Sequence, residues 1–164
     1  MELFVVRHAI AAPYSVDVPD EERPLTPEGR ERFRRCVRGL ERLGIELDRL
    51  LHSPLLRAVQ TAEELAGLLR GSTAVTPHLA APPGAGLLSE IAQGGERVAV
   101  VGHEPWTSEL VALLAGDRGA AVDMRKGAVA HLVGEAEPAG MLLRALLPPR
   151  VLVRVGEQGE SARP

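Results

Sequence analysis

Three short apolar runs, each ending in a polar turn that leads toward a segment of helical period, constrain this chain more than any other feature. They are "ELFVV" at 2–6, a run around 48–52 within "IELDRLLHS", and the apolar part of "RVAVVGHEP". Runs this short and continuously apolar read as strands buried on both faces. The intervening segments carry helix punctuation. In "TPEGRERFRRCVRGLERLG", Thr26 is a good N-cap and Pro27 suits the first helical position. Phe33, Val37 and Leu40 share a face there, and Gly44 closes the end. "SPLLRAVQTAEELAGLLRG" repeats the grammar, with Ser53 as cap, Pro54 at the start, an apolar stripe to Leu69 and Gly71 as the stop. "PWTSELVALLAG" is a third Pro-started helix, stopped by Gly116.

Between these lie less regular pieces. Residues 71–85 are small and Pro-rich, with a short strand near 74–76, and "GLLSEIAQGG" is a short helix. "GAVAHLVGE" and "GMLLRALLP" read as paired strands near the sheet edge. Alternating strand and helix predicts an α/β fold, a three-layer sandwich with a mostly parallel sheet flanked by helices. One domain over 1–155 is expected, followed by a polar, flexible tail at 156–164.

Composition narrows the function classes. Hydrophobic residues make up 45% of the 164, enough for a packed core. A net charge of −3 gives no general attraction to nucleic acid or anionic membrane. Aromatic residues at 2% leave no stacking surface for single-stranded nucleic acid. Apolar stretches all fall short of the roughly 18 residues a membrane span needs. "MELFVVRHA" has neither a basic leader nor a long apolar segment with a small-residue cleavage site. Together with a single cysteine, Cys36, on an amphipathic helix, this predicts a cytoplasmic protein with a packed structural thiol.

Ligands of α/β folds bind beyond the carboxyl ends of the strands, and here those ends carry chemistry. The first run ends in Arg7-His8. The second leads through Ser53-Pro54 to Arg57 in the first turn of a helix, where the dipole disfavours a cation unless an anion sits nearby. The third ends in Gly102-His103 before another helix. Two histidines, two arginines and two helix N-termini at one sheet edge make a pocket suited to a dianionic phosphoryl group. A neutral imidazole attacks phosphorus when its other nitrogen is held by a hydrogen bond, and the cations stabilise the charge in flight.

The motifs "VVRHA", "RPLTPEGR", "LHSPLLRAVQTAEEL" and "VVGHEP" resemble the histidine phosphatase superfamily, in particular its small SixA-type phosphohistidine phosphatase branch. The likeness runs over about residues 2–135 and includes "RKGAVAHL", in which Lys126 leads into an edge strand. It implies a phosphoglycerate-mutase-like fold. It also implies His8 as the phosphorylated nucleophile, and Arg7, Arg57 and His103 as the phosphate pocket. Ala9 stands where the family often has Gly. Larger members carry an acidic proton donor, and Glu104 is the acid best placed for it here, unless it serves as the cap of the "PWTSEL" helix. Ser53 is a helix cap first and a candidate phosphate contact second. Trp106 is either a rim contact to substrate or a packing residue, and the acidic run at 17–23 is a solvated loop near the pocket mouth.

His52, His78 and His131 lack a motif, and the five histidines show no ligand spacing, so neither metal nor other cofactor is expected. The resulting expectation is a metal-independent phosphatase acting on a phosphorylated protein, most simply one bearing phosphohistidine. Its rivals are a phosphatase for small esters such as sugar phosphates or nucleotides, a non-catalytic phosphate-binding module, and, further off, a phosphoglycerate mutase.

Overall fold

Alternation within the strands sets the layers of the fold. The computed structural model describes residues 1–116 and 122–158. Strand β1 (Glu2–Arg7) sends Leu3 and Val5 into one apolar cluster and Phe4 and Val6 into another. Strand β4 (Arg97–Gly102) divides Val98 and Val100 from Ala99 and Val101 in the same way. One cluster is completed by helices α1 (Pro27–Arg42), α2 (Leu56–Leu65) and α5 (Pro149–Glu157), and the other by α3 (Ala85–Ala92) and α4 (Trp106–Ala115). The sheet is therefore the middle of three layers, buried on both faces.

Six strands run in the order β3-β2-β4-β1-β5-β6, with β2 at Leu47–His52, β3 at Leu69–Val75, β5 at Val129–Gly134 and β6 at Met141–Leu147. β3, β2, β4 and β1 pair in parallel, whereas β5 is antiparallel to both β1 and β6. The chain goes outward from β1 to β2 and β3, then returns to insert β4 between β2 and β1. The helix following β1 and the helix following β4 pack on opposite faces, so these neighbours form the topological switch point of the sheet.

Local signals act as expected at α1, where the Thr26 hydroxyl accepts the Gly29 N–H at 2.9 Å, and at α4, where Gly116 ends the helix at φ +81°. Cys36 is buried, and desolvation raises its thiol to about 11, so it packs as a small apolar side chain.

Several boundaries differ from expectation. The helix expected to open at Ser53-Pro54 and run to Leu69 spans only Leu56–Leu65, preceded by Leu55 and followed by a 3-10 turn at Ala66–Leu68. Gly71 is not a helix stop but lies inside β3, where a Cβ would meet the Asp48 carbonyl oxygen at 1.9 Å; close approach of two strand backbones requires the glycine. That strand takes only the first part of the segment expected to be irregular from 71 to 85, starting earlier than the short strand expected near 74–76, and a 3-10 turn at Pro77–Ala80 follows. β5, which follows Lys126, is not an edge strand, because β6 covers it.

Residues 156–158 do not begin a free tail. The turn of α5 buries Gly156, and the helix seats Leu152 against α1. Residues 159–164 lie outside the described residues. Gly39 of α1 makes this contact: a Cβ there would stand 2.1 Å from the Leu152 carbonyl oxygen. Gly39→Ala should lower stability by about 1–3 kcal/mol, since overpacking outweighs the helix propensity gained. Gly67→Ala, whose Cβ would meet nothing nearer than 3.5 Å, should leave the urea midpoint nearly unchanged.

Candidate active site

Register delivers the site. Arg7 pairs with Gly102, and His52 with Val101, so His8, Ser53 and His103 are the first residues past three adjacent parallel strands. The backbone continues to tie them: the His8 N–H donates to the Gly102 carbonyl and the Ser53 N–H to the Val101 carbonyl, each at 3.0 Å. Arg57 arrives from the first turn of α2. His8, Ser53, Arg57 and His103 are all buried, and the His8 and His103 rings lie 5.1 Å apart between centroids.

The His8 ring has its proton placed. Nδ1 lies 2.7 Å from the Ala9 carbonyl oxygen, which can only accept, so Nδ1 carries the hydrogen and Nε2 keeps its lone pair. Desolvation by burial lowers the imidazole to about 3, and the neighbouring charges of His103, Arg57 and Arg7 push the same way. The ring is thus neutral at physiological pH, with Nε2 available. The Ala9 N–H donates in turn to the Thr61 hydroxyl at 3.1 Å, and Thr61 donates to the Arg57 carbonyl at 2.6 Å. Thr61 is a supporting residue that sequence reasoning missed; its only signal is a hydroxyl inside an otherwise apolar helix stripe.

His103 is lowered to about 4, chiefly by burial and then by the Arg57 charge. Its Nε2 stands 2.8 Å from Ser53 Oγ. Ser53 therefore does not cap α2, although its Oγ accepts the Leu55 N–H at 3.3 Å. Arg7 donates through Nη1 to the Met124 carbonyl at 2.7 Å.

Arg57 is held from the loop. Its Nη1 donates to the Asp20 carbonyl at 2.6 Å and its Nη2 to the Asp20 carboxylate at 2.9 Å. Arg23 clasps the other carboxylate oxygen. Burial pushes the Asp20 carboxyl up, but Arg57 and Arg23 outweigh it and hold the group below the usual range. The acidic run expected to be merely solvated thus reaches into the site, and the signal available was an acid three residues before Arg23.

Three buried side-chain nitrogens among the described residues lack a partner: Arg7 Nε, Arg57 Nε and His103 Nδ1. All three belong to the cluster expected from sequence. Leaving a buried polar group unmatched costs about 1–3 kcal/mol, so their convergence on one site calls for an acceptor there.

Glu104 is committed elsewhere. Its Oε1 accepts from the Thr107 hydroxyl and from the Ser108 N–H at 3.1 Å, and its Oε2 lies 2.6 Å from the Ser108 hydroxyl, whose one proton is shared with the Val122 carbonyl at 2.8 Å. The side chain caps α4 although Pro105 occupies the cap position. Trp106, first residue of α4, shares a cavity of about 10 Å³ with His78, Leu79, Gly102 and His103. His131 stacks on Phe4 and bonds Glu2, away from the cluster. Among the described residues no three His, Cys, Asp or Glu side chains gather as a metal-ligand set, and no helix is long and apolar enough to cross a membrane.

Residues 3–80 match the model of the histidine phosphatase superfamily (branch 1). Over 139 residues the chain is 34% identical to an uncharacterized protein of Picosynechococcus sp., covering 80% of this chain and 84% of that relative. It is 36% identical over 121 residues to the phosphohistidine phosphatase SixA of Escherichia coli, covering 70% of this chain and 74% of that one. The chain belongs to the histidine phosphatase superfamily. The solved structure of the protein histidine phosphatase SixA complexed with tungstate superposes with a TM-score of 0.78 at 30% identity, over 93% of this chain and 99% of that one. The fold is that of the SixA-like and phosphoglycerate-mutase-like phosphatases, and the protein is a phosphatase.

Burial of two neutral histidines makes the site acid-sensitive. Each ring binds a proton near 6.5 when unfolded but only at about 3 (His8) or about 4 (His103) when folded. The unfolded chain therefore takes up more protons below pH 6.5, so this contribution is whole above that pH and shrinks as pH falls toward 4. The urea midpoint should drop from pH 7 to pH 5, and by less in a His8→Asn/His103→Asn double variant. Equal drops in both proteins would contradict the assignment.

Proposed function

We propose that this phosphatase hydrolyses phosphohistidine on a protein, through a phosphohistidine intermediate of its own. The observation that carries this reading is the commitment of the nearby carboxylates. Glu104 is engaged at the start of α4 by the Thr107 hydroxyl, the Ser108 N–H and a Ser108 hydroxyl shared with the Val122 carbonyl, and Asp20 is held as a carboxylate by two arginines. Both carboxyl groups are thus engaged by the protein's own side chains and backbone rather than set aside for a leaving group. An alkoxide leaving from an ordinary phosphate ester needs that proton. A phosphorylated imidazole does not, because its second ring nitrogen takes a proton from water and a neutral ring departs.

In the first step the His8 Nε2 lone pair attacks phosphorus and forms the N–P bond as the substrate's N–P bond breaks. In the second, water attacks the same phosphorus from the opposite side. The Nε2–P bond then breaks, releasing inorganic phosphate and restoring the lone pair. Arg7, Arg57 and His103 hold the phosphoryl oxygens throughout. Asp20 takes the Nη end of Arg57 and leaves Nε, the unpartnered atom, for a phosphoryl oxygen. Such positioned donors act on the charge spread over the equatorial oxygens and need not reorganise as it moves.

A second feature supports a macromolecular substrate. The loop that carries Asp20 also exposes the apolar side chains of Tyr14, Val16 and Val18, which a small sugar phosphate does not need. The similarity to SixA, described as a phosphohistidine phosphatase, points the same way.

Turnover of a phosphohistidine-bearing protein should exceed turnover of alkyl phosphates by orders of magnitude. His8→Ala should abolish it, and Arg57→Ala should lower kcat/KM by about 10²–10³-fold. Equal or faster turnover of small esters would replace the substrate assignment, and phosphate binding without any turnover would indicate a binding module.

A further inference from the structure

We propose that Ser53 is a positioning residue that selects the tautomer of His103, so that His103 meets the phosphoryl group as an Nδ1–H donor. The proposal rests on the reading that His103 holds a phosphoryl oxygen.

Hydrogen-bond accounting carries it. Ser53 is completely buried, and its Oγ has two partners: the Leu55 N–H at 3.3 Å and His103 Nε2 at 2.8 Å. The amide can only donate, so it uses an Oγ lone pair. A neutral imidazole has one N–H and one acceptor nitrogen, which leaves two assignments for the Ser53–His103 contact.

If Nε2 carried the ring proton, Oγ would accept from both partners. The Ser53 hydroxyl proton would then lack a bonded acceptor, and His103 Nδ1 would be a buried bare lone pair. That lone pair would repel an anion. If instead Ser53 donates to Nε2, every atom of the contact is satisfied and the ring proton is forced onto Nδ1. Nδ1 is then a buried N–H with no acceptor among the described residues, beside the His8 ring. Only this assignment gives the phosphoryl group a donor.

The two histidines then share one tautomer and use it oppositely. Ala9 accepts the Nδ1–H of His8 and leaves a lone pair at Nε2 for attack. Ser53 donates to Nε2 of His103 and leaves an N–H at Nδ1 to bind the oxygen. His103 needs no added proton to act, consistent with the desolvation that keeps it neutral. A threonine hydroxyl could serve in principle, whereas alanine could not.

The test is the ring ¹⁵N spectrum of ¹⁵N-histidine-labelled full-length protein at pH 7, with His103 assigned through a His103→Asn variant. The wild type should show the neutral Nδ1–H pattern at His103. Ser53→Ala should convert it to a mixture or to Nε2–H and lower kcat by about 10–100-fold. Ser53→Thr should restore both. An Nε2–H pattern in the wild type overturns the proposal even if Ser53→Ala does not fold, as does an unchanged His103 pattern in a folded Ser53→Ala. An intact Nδ1–H pattern in a wild type that turns over no phosphoryl substrate would overturn the functional reading and not the tautomer assignment.

Discussion

Everything at the site follows from the insertion of β4 between β2 and β1 in parallel register. With Arg7 opposite Gly102 and His52 opposite Val101, three chain segments leave the sheet at the same height. Their first residues are His8, Ser53 and His103. A slip of one residue in either pairing would reverse the side chains of the shifted strand between the two apolar clusters, so the hydrophobic alternation that builds the core also fixes the site. The geometry of the site is thus set by the same packing that builds the core.

The arrangement is electrostatically costly. Two arginines and two histidines are crowded together, and three of their nitrogens have no partner among the described residues. The histidines respond by staying neutral. Arg57 is balanced instead by Asp20, which partly offsets the crowding while leaving the Nε edge open. In the proposed mechanism the unmatched nitrogens are what a phosphoryl group would satisfy, so stability given up in the free protein is recovered as affinity for an anion.

Much of this is legible in the sequence because strand ends and helix starts have strong local grammar. Counting alternating strands and helices along the chain is enough to bring Arg7, His8, Arg57 and His103 to one edge of the sheet. What is not legible depends on contacts distant in the chain. Gly71 reads as a helix stop because glycine punctuates helices and also permits strand backbones to approach, and only the Asp48 contact separates the two. Helix α5 goes unassigned, with only its last two residues in the expected tail, because its pattern is short and its meaning comes from packing on Gly39. Asp20 lies among acids that differ only in which one meets Arg57. Ser53 reads as a cap from its place before Pro54, whereas its partner lies 50 residues away. Glu104 illustrates the reverse: the sequence suggests both a donor and a capping role, and local hydrogen bonds favour the capping one.

In the proposed mechanism the bond from His8 Nδ1 to the Ala9 carbonyl leaves Nε2 as the attacking atom. The most direct measurement is to trap the phosphorylated enzyme by rapid quenching under alkaline conditions, which preserve a phosphoramidate, and to locate the phosphate by peptide mapping and ³¹P–¹⁵N spectroscopy. One phosphoryl group should be found, on Nε2 of His8. Phosphate on Nδ1, on another residue, or absent during steady turnover would contradict it.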